Sequence, residues 1–124
     1  MSQQSSNKPC MQMTMRWYGP GYDTVTLEQI RQTRYVTGII TTLMNKLPGQ
    51  LWTLEEILAL KKCVEDAGLT LAGIESVNVS DAIKVGSRER DKDIDAYIKT
   101  LENLGKADIH MVCYNFMPVF FKKL

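Results

Sequence analysis

The sequence predicts an α/β fold, a parallel (β/α) half-barrel equal to the first four strands of a (β/α)8 barrel. Three observations support it. Short β-branched apolar runs alternate with longer stretches of helical periodicity, as parallel strands joined by helices require. Two capping boxes fix where helices begin. Strand starts recur roughly every 20–40 residues, and a chain of 124 residues holds about half of a barrel of ~250.

The elements follow in order. Residues 1–12 are rich in Ser, Gln, Asn, Lys and Pro and read as a disordered tail ahead of a single domain over 13–124. Met13 to Tyr18 is a first strand, ended by the turn signal Gly19-Pro20-Gly21. Thr26-Leu27-Glu28-Gln29 is a capping box and starts a short helix to about Thr33. Val36 to Leu43, VTGIITTL, is β-branched and nearly continuously apolar, which suits a strand buried on both faces.

After a loop holding Pro48-Gly49, Thr53-Leu54-Glu55-Glu56 is the second capping box. Its helix presents Leu54, Ile57, Leu58, Val64 and Ala67 on one broad face, with Gly68 placed to follow its end. Lys61 falls within that face and is expected to reach its edge. Leu69 to Val77 is a third strand, and residues 78–88 read as a polar loop. Ile94, Tyr97, Ile98, Leu101 and Leu104 recur at helical spacing, which predicts an amphipathic helix ending near Lys106. Ile109 to Phe116 is a fourth strand.

Such alternation also suits an open doubly wound sheet. A dinucleotide-binding sheet carries Gly-x-Gly-x-x-Gly after its first strand, and Gly19-Pro20-Gly21 lacks the third glycine. Composition narrows the function. The chain is 44% apolar and 23% charged with a net charge of +1, and it has no basic stripe, which argues against nucleic acid. No run approaches the ~18 apolar residues of a membrane span. Three widely spaced cysteines, Cys10, Cys63 and Cys113, and the lack of a leader point to a reducing cytoplasm.

In folds of this kind the site lies at the carboxyl ends of the strands. That selects Arg16, Trp17, Tyr18, Asn45, Glu75, Ser76, Asn78, Tyr114 and Asn115. Among them Arg16, Tyr18, Glu75, Asn78 and Asn115 are the candidate substrate-binding residues. Arginine grips a carboxylate with two parallel bonds, and asparagine both donates and accepts, which suits sugar hydroxyls. Trp17 and Tyr114 suit packing, and Ser76 and Asn78 also suit closing a loop. Arg16 and Glu75 share the inward phase and are expected to meet as an ion pair near the barrel mouth. His110, the single histidine, stands at the far end of the fourth strand and suits a structural role. Cys113 reads as a small buried hydrophobe. No metal site is assigned within the chain, because one histidine cannot supply a multi-histidine set.

The runs MRWYG (15–19), DTVTLEQIRQ (23–32), VTGII (36–40), LEEILALKK (54–62), VEDAGLTL (64–71), IESVNV (74–79) and VCYNFMPVF (112–120) resemble the N-terminal part of mannonate dehydratase. The resemblance implies a TIM (β/α)8 barrel of the xylose isomerase-like superfamily. It implies loss of water from D-mannonate to give 2-dehydro-3-deoxy-D-gluconate in hexuronate (glucuronate) catabolism. It also implies a divalent metal, Mn²⁺ or Fe²⁺, that polarises the sugar acid, with its ligands in later strands that this chain lacks. The family's loop after the third strand reads like His-Glu-Asp-Ile-Lys, whereas here it is Ser80-Asp81-Ala82-Ile83-Lys84. The family tends to carry Gly where Asp108 stands here.

Two readings follow. One is a mannonate dehydratase by descent, inactive as this portion alone. The other is a non-catalytic half-barrel that pairs with a complementing chain. Four strands leave two open edges, and Met111, Cys113, Phe116, Val119 and Phe120 are expected to add to an exposed apolar patch. Association through those edges, including as a homo-oligomer, is therefore expected.

Overall fold

The computed structural model describes residues 11–117. The ends of the expected tail and patch, residues 1–10 and 118–124, lie outside the described residues, Val119 and Phe120 among them. Four parallel strands form one sheet in the order β1 (Met13–Arg16), β2 (Val36–Thr41), β3 (Thr70–Asn78) and β4 (Val112–Asn115). Between them run α1 (Leu27–Arg31), α2 (Leu54–Asp66), α3 (Asp81–Val85) and α4 (Arg90–Lys106).

Local chemistry sets the helix starts. Thr26 accepts from the Gln29 amide while the Gln29 side chain accepts from the Thr26 amide. Thr53 and Glu56 repeat the exchange at α2. Each box satisfies two otherwise orphaned groups, worth about 1 kcal/mol for the cap residue. Gly68 follows α2 with φ +81°, a conformation that glycine adopts without steric cost.

One face of the sheet packs on the helices. Ile39, Ile74 and Val77 join Ile30 of α1, Ile57, Leu60 and Val64 of α2 and Leu104 of α4 in a single core. On the opposite face Gly73 leaves room for Met111 and Ile40, whose side chains would crowd any Cβ at that position. That is the inward side of a barrel wall.

The polar layer is also built in. Thr100 Oγ1 receives the Trp52 amide at 3.1 Å, and Asn103 Nδ2 donates to the Trp52 carbonyl at 2.8 Å. These bonds pin the β2–α2 loop to α4. Lys61 Nζ donates to the Ala107 carbonyl at 2.8 Å, meeting the carbonyl end of α4 where a cation is favoured. No helix among the described residues is long and apolar enough to cross a membrane.

Four expectations change. The stretch 78–88 contains α3, because Ser80 caps it through the Ile83 amide and Gly86, at φ +67°, ends it. On α2 the buried residues are Ile57, Leu60 and Val64, so Ile57 and Val64 keep the expected face while Leu60 is buried in place of Leu58, which is exposed. On α4 the face turned inward is Thr100, Asn103 and Leu104, whereas Ile94, Ile98 and Leu101 are exposed. They line a groove of about 640 Å³ beside the open edge of β4. Cys113 is exposed rather than buried; among the described residues β4 is the edge strand of the sheet.

Candidate functional site

The carboxyl ends of β3 and β4 carry a hydrogen-bonded polar constellation. Register passes from Glu75 opposite Cys113 to Val77 opposite Tyr114, so Ser76 is an extra residue in β3. Such a bulge re-aims side chains locally, and the Glu75–Ser76 peptide is cis. Ser76 is buried. Its Oγ receives Asn115 Nδ2 at 2.8 Å and donates to Asn78 Oδ1 at 2.5 Å. The Ser76 carbonyl accepts from Thr42 Oγ1 at 2.8 Å, which ties in the end of β2.

This relay has a chemical consequence. Asn78 spends its carbonyl and Asn115 spends its amide. Asn78 Nδ2 and Asn115 Oδ1 therefore have no hydrogen-bond partner among the described residues. One donor and one acceptor face outward from neighbouring strand ends, a pair suited to a hydroxyl of a polyol. They border a cleft of about 670 Å³ together with Lys46, Asp81, Lys84 and Asp93.

The walls of the cleft are held by charge. Lys46 Nζ pairs with Glu56 at 2.9 Å and donates to the Leu51 carbonyl at 3.1 Å. The Lys46 ammonium holds the Glu56 carboxyl below its ordinary range. Beneath the loop, Tyr97 Oη donates to the Val77 carbonyl at 3.1 Å. Burial pushes that phenol above its ordinary value, with Tyr114 adding to the shift.

The other candidates stand apart from this pair. The Arg16 guanidinium lies 4.7 Å from the Tyr18 ring centroid and donates to the Trp17 carbonyl at 3.4 Å. Arg16 and Glu75 form no ion pair among the described residues, contrary to the shared inward phase. The register explains it: Arg16 is level with Ile40 and Ile40 with Gly73, two residues before Glu75. Tyr18 is half-exposed over the β1–α1 loop, where its amide donates to Asp23 at 2.9 Å. The Tyr18 and Val25 amides hold the Asp23 carboxyl below its ordinary range. Asn45 borders a separate hollow with Tyr18 and Tyr22.

Trp17 is buried in the core as packing requires, but Tyr114 is 70% exposed and lines the groove beside α4. His110 stands before β4, away from the site, 2.6 Å from Asp108. Sequence reasoning missed Lys84 and Thr42. Lys84 was hidden in a stretch read as loop, and the Ser80 cap followed by Gly86 was the available signal.

Comparisons decide the family. The model of the D-mannonate dehydratase (UxuA) family matches residues 11–122. The chain belongs to the mannonate dehydratase family. Mannonate dehydratase of Brachyspira hyodysenteriae is 58% identical over 110 residues, covering 89% of this chain and 31% of that protein. The Enterococcus faecalis mannonate dehydratase is 54% identical over the same share of each. The crystal structure of mannonate dehydratase from Streptococcus suis serotype 2 superposes with a TM-score of 0.85 at 49% identity, over 90% of this chain and 32% of that one. The sheet described above is therefore one wall of the mannonate dehydratase barrel fold. The chain spans about a third of the length of these relatives.

Proposed function

We propose that this chain supplies the substrate-gripping first half of a mannonate dehydratase barrel. The assembled enzyme removes water from D-mannonate and yields 2-dehydro-3-deoxy-D-gluconate, the hydrogen leaving from the carbon next to the carboxylate and the hydroxyl from its neighbour. The relay from Asn115 through Ser76 to Asn78 carries this reading, because it aims a donor and an acceptor from strand ends into one cleft. Asn78 and Asn115 hold the polyol; Arg16 and Tyr18 at the end of β1 and Glu75 within β3 are further candidate contacts outside this cleft.

The family resemblance adds a divalent metal, Mn²⁺ or Fe²⁺. The described residues gather no group of three His, Cys, Asp or Glu able to hold one, so this part of the wall does not fit the metal and its ligands are assigned elsewhere in the barrel. The free thiols Cys63 and Cys113 support a reducing, cytoplasmic setting.

A second reading has its own support. The groove beside β4 exposes Ile94, Ile98 and Leu101 next to a strand edge that is unpaired among the described residues, which suits an interaction module that docks another chain. One experiment separates the two. The 124-residue chain is mixed with the remaining two thirds of the Brachyspira hyodysenteriae enzyme, made separately, with D-mannonate and Mn²⁺. The enzyme reading expects no 2-keto product from either piece and turnover of about 1–10³ per second from the mixture. A complex that forms without turnover supports the interaction module, and turnover by the 124-residue chain alone sinks the proposal that it is half of the machine.

A further inference from the structure

We infer that Lys84 is the cation that recognises the carboxylate of the sugar acid, an inference that rests on the substrate reading above. Lys84 lies on α3, one turn beyond the Ser80 cap, and its side chain lines the same cleft as Asn78 and Asn115. That side chain is only 10% exposed. Withdrawing an ammonium from water is costly unless an anion or strong acceptors replace the lost hydration. Lys84 Nζ donates to one neutral group, the Met117 carbonyl at 3.0 Å. Its ion pair with Asp81 is 3.9 Å long, beyond hydrogen-bond reach. An ammonium has three donors, and one of them is spent on a hydrogen bond among the described residues.

The other cation there, Lys46, is committed to Glu56, and the Asp93 side chain lies beside Gly49. Asp81 is half-exposed at the rim. Among the described residues Lys84 is thus the cation lining the cleft that lacks a hydrogen-bonded carboxylate. An aldonate needs a cation at one end and paired donors and acceptors along its hydroxyls. Lys84 with Asn78 and Asn115 supplies both from β3, α3 and β4.

The test compares D-mannonate with D-mannitol, which has the same carbon skeleton and no charge. Binding to the 124-residue chain is followed by NMR shifts of the Asn78 and Asn115 side-chain amides. Mannonate is expected to bind at least about tenfold more tightly than mannitol. Lys84→Met should abolish that preference while leaving mannitol binding unchanged, and Lys84→Arg should restore it. A tenfold preference that persists in Lys84→Met overturns the role of Lys84 and leaves the substrate reading standing. Failure of both ligands to shift the two amides overturns the substrate reading itself. Circular dichroism of each variant keeps loss of fold distinct from loss of charge.

Discussion

Asn115 donates to Ser76 Oγ across 2.8 Å, so the carboxyl ends of β3 and β4 are joined by side chains as well as by backbone. The bond crosses 39 residues of sequence and adds a side-chain tie to the backbone ladder between β3 and β4.

Ser76→Ala is expected to break this joint. It leaves the Asn115 amide and the Asn78 carbonyl without their shared partner near a buried position. The expected cost is about 1–3 kcal/mol, read as a lower urea midpoint. Hydrogen exchange should quicken in β4 before it does in β2. A midpoint within error of the parent would show that the relay is ornamental.

Thr41→Val should stabilise the protein. Thr41 is fully buried, and its hydroxyl has no hydrogen-bond partner among the described residues. Valine has nearly the same shape and no polar atom to desolvate, so the gain is about 1 kcal/mol. Thermal unfolding is the measurement, and a lower Tm for the valine variant would contradict the account.

Tyr35 is held at φ +70° at the entrance to β2, a region where a bulky side chain is strained. Its ring stacks under the Arg34 guanidinium at 4.8 Å, which offsets part of the strain. Tyr35→Asn should gain about 0.5 kcal/mol, because asparagine tolerates this backbone. Tyr35→Val, stiff at its branched Cβ, should fall below the parent. Reversal of that order in equilibrium unfolding would refute the strain argument.

The Lys46–Glu56 pair predicts an acid sensitivity. Glu56 titrates below its ordinary 4.5 in the folded protein. Its contribution is therefore complete above that value and is lost as pH falls through the lower, folded one. Lys46→Gln should be less stable than the parent at neutral pH, and the gap should narrow below about pH 4.5. A gap that stays constant from pH 7 to pH 3 would remove Glu56 from the explanation.

Much of the wall was legible in the sequence because its signals are local. Thr26 and Thr53 mark their helices through bonds spanning three residues, and Val36 to Thr41 betrays its burial by composition alone. The failures share a different cause. Ile94, Ile98 and Leu101 form an apolar stripe as clear as any in the chain, yet the stripe faces a groove. Periodicity reports that a face is apolar and says nothing of which neighbour covers it. Thr100 and Asn103 look like surface residues until Trp52 arrives from 48 and 51 positions away. The candidate site was half legible. Asn78 and Asn115 were selected because they stand at the carboxyl ends of strands, and they border one cleft, but the Arg16–Glu75 pairing failed because phase fixes the face of a strand and leaves its level unset. The register shifts in all three strand pairings are not written in any single segment.

The chain's two tryptophans turn this architecture into an optical instrument. Trp17 and Trp52 are 4% and 3% exposed, so both indoles should emit toward the blue and resist quenching by iodide while the fold holds. They report on different places. Trp17 donates its Nε1–H to the Val25 carbonyl at 3.1 Å in the β1–α1 loop, whereas Trp52 is clamped by α4. Trp17→Phe leaves a lamp on the α4 contact and Trp52→Phe leaves one at the opposite edge of the sheet. The red shift of each lamp, followed separately through denaturation, shows which edge of this open wall opens first.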